Sequence, residues 1–227
     1  MENLPLYVYI VFCTTVLIGV LIFYKATHYA KPFFIQIAVW IVFQTVLSLA
    51  GFYKTANTIP PRFPLLILPP LMLLIVRFNT IRGKAFIDSL DIKALTLFSI
   101  IRIPIEIVLF WLFTHKAVPE LMTFEGRNFD ILSGLSAPII YYFAFVKRKI
   151  GKNILLVWNV ICLGLLMNIV VNALLSTPSY IQQFGLEQPN IAIAYFPFVL
   201  LPACLVPLAI LSHVASMRQI ILGKLNL

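Results

Sequence analysis

Acidic residues are scarce: 8 Asp and Glu stand against 17 Lys and Arg, and charged residues make up only 11% of the 227. A soluble globular domain carries about 25% charged residues, so an ordinary water-facing surface is excluded. Cysteine is rarer still. Cys13, Cys162 and Cys204 each lie in an apolar run, with no Cys-x-x-Cys and no nearby histidine. That excludes a disulfide framework, and the three read as small core residues. There is no His-Glu-x-x-His and no Gly-x-Ser-x-Gly, which removes the familiar zinc-protease and serine-hydrolase patterns. His28, His115 and His213 fall near the ends of apolar runs, leaving no facing pair for a haem. The first residues carry Glu2, no basic group and no small-residue cleavage site, so the first apolar run is expected to be retained rather than removed as a signal peptide.

Hydrocarbon is what the chain has in plenty. It is 61% hydrophobic with a mean hydropathy of +0.99, against about 45–50% apolar residues in a soluble domain. A bilayer crossing needs about 20 mostly apolar residues. Seven runs are candidates: 4–24, 32–53, 63–78, 94–113, 131–146, 153–175 and 191–214. The expectation is an all-α, polytopic membrane protein, a single domain over 1–227 with seven transmembrane helices. Pro69-Pro70 predicts a kink or break in the third run. Phe86, Ile87, Leu90 and Leu95 predict a helical turn lying at the interface.

Sidedness follows from charge. Twelve Lys and Arg fall in the first, third and fifth loops and the tail, and four in the even-numbered loops. By the positive-inside rule the N-terminus lies outside and the C-terminus in the cytoplasm. The net charge of +9 is therefore a topology signal, and no nucleic-acid partner is implied. The small size and lack of appended domains suit a bacterial cytoplasmic (inner) membrane. Seven spans with an outside N-terminus are similar in topology to retinal proteins and heptahelical receptors. The last run has no lysine for a Schiff base, so nothing further is implied.

Costly polar groups concentrate between 101 and 138. Arg102 and Glu106 are four apart, hence neighbours on one helix face. An ionised side chain at mid-bilayer costs about 2.5–3.5 kcal/mol on insertion scales, so both are expected to pair with each other and to face a cavity. Asn168 and Asn172 are candidate partners for the leftover guanidinium donors. The following loop holds Glu125, Arg127, Asn128 and Asp130, candidates for an outward-facing pocket. Asp130 also suits the N-cap of the next helix. Asp130, Ser133, Ala137 and Tyr141 share a helix face that would carry the pocket inward. Tyr195 and the prolines of the seventh run suggest a broken helix at a ligand site.

These residues lead to a membrane protein that binds a small amphiphilic or anionic ligand between spans four to seven, for transport or sensing. Arg102, Glu106, Glu125, Arg127, Asn128, Asp130, Tyr141, Asn168, Asn172 and Tyr195 are its candidate binding residues. The alternatives are a lipid-modifying intramembrane enzyme using Glu106 or Glu125 as acid/base, and a partner subunit or scaffold without a small ligand. The bilayer is the one implied partner. No cofactor is implied and no metal template is met, although His115, Glu120, Glu125 and Asp130 could gather outside the membrane.

Overall fold

The computed structural model describes residues 4–54 and 62–224, and among them every regular element is helical. Lipid offers backbone groups no hydrogen-bond partner, so apolar runs satisfy their own amides as helices. Helix α1 is Leu6–Ala26 and α2 is Lys31–Leu49. Helix α3, Pro64–Asn79, is followed after one residue by α4, Ile81–Asp88, bent by 96° from it. Helix α5, Ile92–Phe98, continues through a 3-10 turn into α6, Arg102–Thr114, so that Ile92–Thr114 forms one long apolar stretch. Helix α7, Ile131–Tyr141, ends in a π turn, Tyr142–Val146. Helix α8 is Lys152–Leu175. A second π turn, Leu201–Leu205, leads into α9, Val206–Ile221.

Five of these stretches are long and apolar enough to cross a membrane: Leu6–Ala26, Lys31–Leu49, Ile92–Thr114, Lys152–Leu175 and Leu201–Ile221. The bent α3–α4 pair makes a sixth if taken as one span, and Ile131–Val146 is a shorter apolar helix. Their outer faces carry exposed Leu17, Val39, Val42, Ile139 and Val157, as a lipid solvent requires. The core lies where α1, α5, α6, α8 and α9 meet, around the fully buried Phe12, Phe98, Phe198 and Leu211.

Several expectations need correction. Pro69 and Pro70 sit inside an unbroken α3, and the bend comes instead at Thr80. Thr80 has extended backbone (ψ 149°) and its hydroxyl accepts from Gly83 N, capping α4. The interfacial turn expected around Phe86 to Leu95 starts earlier, as α4, and Leu95 belongs to α5. The last membrane helix starts later and runs further than 191–214, through Ile221, which moves His213 into its interior. Cys162 and Cys204 are buried as expected, but Cys13 is exposed on the surface of α1.

Proline also explains one inter-helix contact. Pro207 has no N–H to give the Ala203 carbonyl one turn back, and the Trp40 indole of α2 donates to that oxygen instead, at 2.8 Å. At the far end of α9, Arg218 Nε and Nη2 reach the two Asp88 oxygens at 2.8 and 3.1 Å, and Lys224 Nζ adds a contact at 2.7 Å. Gln219 donates to the carbonyls of Ile87 and Leu90, 2.9 Å each. Together they latch α4 onto α9.

α4 turns 96° from α3, and with the third run ending at 78 Asp88 falls in the loop that follows it. The Arg218 guanidinium, with Lys224 beside it, holds the Asp88 carboxyl below its usual range. A carboxyl lowered in the folded state stabilises it above the unfolded value, about 3.9. That stabilisation is lost as pH falls through the lower folded value. Melting of the native protein should therefore drop toward that of Asp88→Asn below about pH 4. Identical melting of the two proteins at pH 7 would mean that the latch contributes nothing.

Candidate functional site

Arg102 begins α6 and is 3% exposed. Its Nη1 donates to Asp130 Oδ2, and this ion pair lies deep, with side-chain exposures of 4% and 7%. The close approach of the two helices comes from Gly134, where a Cβ would meet Ile103 Cγ1 at 2.8 Å and Ile103 N at 3.1 Å. Any larger residue would push α7, and Asp130 with it, away from Arg102. Asp130 does occupy the N-cap position of α7, but its carboxylate caps no backbone amide. It binds Arg102 and accepts from Ser133 Oγ at 3.1 Å.

The other terminal nitrogen, Arg102 Nη2, is 3.0 Å from His213 Nε2. On the far side of the imidazole, Nδ1 is 3.0 Å from Asn159 Oδ1. Asn159 Nδ2 donates to the Leu155 carbonyl at 2.9 Å, which turns its Oδ1 toward the ring. An amide oxygen and a guanidinium leave the ring one arrangement. Nδ1 carries the proton and donates to Asn159, and Nε2 accepts from Arg102, so the imidazole is neutral.

Glu106 is 1% exposed and does not pair with Arg102. This corrects the expected neighbour pair. Both its oxygens face Asn128 Nδ2, at 2.7 and 2.6 Å, and that nitrogen also lies 3.0 Å from the Met122 carbonyl. An amide has two N–H bonds, so one spans the carboxyl group and the other holds Met122. Asn128 Oδ1 accepts from the Asp130 amide at 3.0 Å. Asn128 thus joins the two acids. The loop that carries it folds tightly at Gly126, where a Cβ would meet Glu120 O at 2.4 Å and Leu121 Cα at 2.6 Å.

Arg102, Glu106 and Asp130 line a cavity of about 100 Å³ whose other walls are apolar, among them Phe98, Leu109, Met122, Leu166, Ile169 and Leu205. Arg102 Nε and Ser99 Oγ are buried without a hydrogen-bond partner among the described residues. The charges nearly cancel. Arg102 offsets Asp130, the imidazole is neutral, and Glu106 forms no ion pair with any described cation. An ionised Glu106 would leave a net charge of −1.

The remaining candidate residues lie elsewhere. Asn168 is exposed and donates to the Arg127 carbonyl at 2.7 Å, while Asn172 donates to Asn168 Oδ1 at 3.3 Å. The asparagines therefore brace the loop on α8 and do not reach Arg102. Arg127 sits over the Phe184 ring, 5.7 Å from its centroid, in an outer bowl with Glu120 and Glu187. Glu125 is exposed. Tyr141 lines a separate cleft with Lys25, Asp91 and Lys93. Tyr195 carries Lys54 Nζ 4.7 Å above its ring, in an outer pocket of about 120 Å³. No three His, Cys, Asp or Glu among the described residues gather to hold a metal.

His213 and Asn159 complete the buried polar cluster, and neither is among the binding residues expected from the sequence. Ser212, Ser216 and Gln219 are buried beside His213 on α9 at helical spacing, and that polar face was the available signal. The apolar helices and the buried charged core define an all-helical membrane protein. No protein-family model, curated protein or solved structure matches this chain.

Proposed function

We propose that this is a seven-span protein, with its N-terminus outside a bacterial cytoplasmic membrane, that binds a small amphiphile for transport or sensing. The cavity carries the reading: apolar walls end on Arg102, Glu106 and Asp130. Polar groups at membrane depth are retained where they serve a partner or a path. Arg102 is engaged by Asp130 and His213, so it is a poor seat for a full negative charge. What it offers is Nε, a buried donor with no partner among the described residues. Glu106 offers acceptor oxygens. An uncharged head with both a donor and an acceptor, such as a hydroxyl or an amide, satisfies both.

The cavity shares Phe63 and Ile193 with the outer pocket that holds Lys54, Arg62 and Tyr195. That shared wall sets the cavity beside the outer loops and supports access from that side. A volume of about 100 Å³ takes only a short chain, since an engineered cavity of about 150 Å³ holds benzene.

Primary alcohols from butanol to octanol are suitable probes, read by thermal shift of the purified protein. Binding should weaken about fivefold in Glu106→Gln, about 1 kcal/mol for the loss of one hydrogen bond. Native mass spectrometry of gently extracted protein should find a bound small molecule that this variant loses. Equal alcohol shifts in both proteins, with no retained species in either, would remove the ligand reading.

A further inference from the structure

A second, larger recess opens on the outside of the bundle. It has a volume of about 560 Å³ and lies between α2, α3 and the start of α9. Its walls include Ile37, Phe43, Pro69, Leu73, Pro207 and Leu208. Helix α2 packs on α1 and on the Leu201–Leu205 turn, and it reaches α3 through Arg77 Nη2, which donates to Gln36 Oε1 at 2.6 Å. Val39 and Phe43 at its edge are 63% and 51% exposed, so the cleft opens toward the bilayer.

Charge is confined to one end. Arg77 is the single charged residue lining the cleft. It is held on two aromatic faces, 5.0 Å from the Phe33 centroid and 4.7 Å from that of Phe86. Its one hydrogen bond among the described residues is to Gln36, leaving further guanidinium donors open. Gly83 packs directly on the Arg77 backbone, since a Cβ there would meet Arg77 O at 2.2 Å.

We propose that this cleft holds an acyl chain of an anionic phospholipid, whose phosphate sits on Arg77. Its volume lies within the range of about 300–1,000 Å³ typical of small-molecule sites. The chain would lie along the apolar wall, in the gap between α2 and α3. Guanidinium matches phosphate with paired N–H donors. Each basic residue at a membrane surface contributes about a fivefold preference for anionic lipid. This site is separate from the charged cavity and does not depend on the reading of that cavity.

Trp40 lines the cleft and provides the readout. In a Trp111→Phe/Trp158→Phe background, its fluorescence should be quenched by chain-brominated phosphatidylglycerol at about one fifth of the mole fraction needed with phosphatidylcholine. Arg77→Gln should bring the two lipids within twofold of one another. Trp158 donates to Ser136 Oγ, so the background gives up a hydrogen bond of its own. Native mass spectrometry of the unaltered protein and Arg77→Gln from mixed-lipid nanodiscs therefore runs alongside it. Phosphatidylglycerol adducts retained by the first and lost by the second support the site. Equal quenching by both lipids with Arg77 present, or equal adducts in the two proteins, would overturn it. Absence of quenching by either lipid would also overturn it, and would point to a protein segment or second copy in the cleft.

Discussion

Asp130→Ala will lower stability by about 3–5 kcal/mol, the scale for removing one partner of a buried ion pair. The loss comes less from the pair's own attraction than from what remains. Arg102 would stay 3% exposed, with His213 Nε2 as its one hydrogen-bond partner and Nη1 and Nε both unmet. Ser133 would lose the oxygen that its hydroxyl donates to. Replacing both charges, as Arg102→Met/Asp130→Leu, should recover most of the loss, because apolar side chains of similar volume match or exceed many buried ion pairs. Recovery stops short of complete. His213 Nε2 would face a methionine with its lone pair unused, an orphan worth about 1–3 kcal/mol. Unfolding in detergent of the native protein, Arg102→Met, Asp130→Leu and the double variant, read as a double-mutant cycle, gives the coupling directly. A single variant within about 1 kcal/mol of the unaltered protein would mean that water reaches Arg102.

Helices and charged core differ in how far they could be read from residues. A crossing helix announces itself locally, because lipid demands a continuous apolar run, and the runs near 4–24, 32–53 and 153–175 match α1, α2 and α8 to within a few residues. Ends were harder. The His213 to Gln219 stretch looks polar in one dimension, yet Ser212, His213, Ser216 and Gln219 all turn inward and let α9 continue to Ile221. Pro69-Pro70 misled for a related reason. Two lost amides can be tolerated inside a membrane helix, whereas the Thr80 cap redirects the chain.

The charged core resisted sequence reading because its partners are remote. Spacing makes Arg102 and Glu106 visible as neighbours, but Arg102 chooses Asp130, 28 residues away, and His213, 111 away. Glu106 is taken by Asn128 before Arg102 can reach it. Asn128 and Asp130 were legible as candidates because polar residues beside an apolar run need a reason. Asn168, Asn172 and Tyr141 satisfied the same rule and serve local bracing or a different cleft. Helical periodicity sorts faces of one helix, and it carries no information about which face of another helix it meets.

Asn128→Asp tests that choice of partners, and it should be nearly as damaging as loss of Asp130, about 3 kcal/mol or more at neutral pH. It sets a second carboxyl against Glu106 in a pocket where Asn128 is 0% exposed. Two such groups cannot both ionise, so one must hold a proton. Lower pH should therefore restore part of the stability. Adding Glu106→Gln exchanges donor and acceptor across the same contact, since the new amide at 106 can donate to the new carboxylate at 128. The exchange cannot be complete. Met122 O now receives an N–H from Asn128 at 3.0 Å, and a carboxylate has none to give. The Asp130 amide keeps its acceptor. Asn128→Asp/Glu106→Gln should thus be more stable than Asn128→Asp alone, yet remain about 1–3 kcal/mol below the native protein, the cost of one orphaned carbonyl. Equal stability of the single and double variants would mean that Glu106 answers to some group other than Asn128. The pH dependence separates this from simple misfolding, because only a facing pair of carboxyls regains stability on acidification and loses that gain when Glu106 is neutralised.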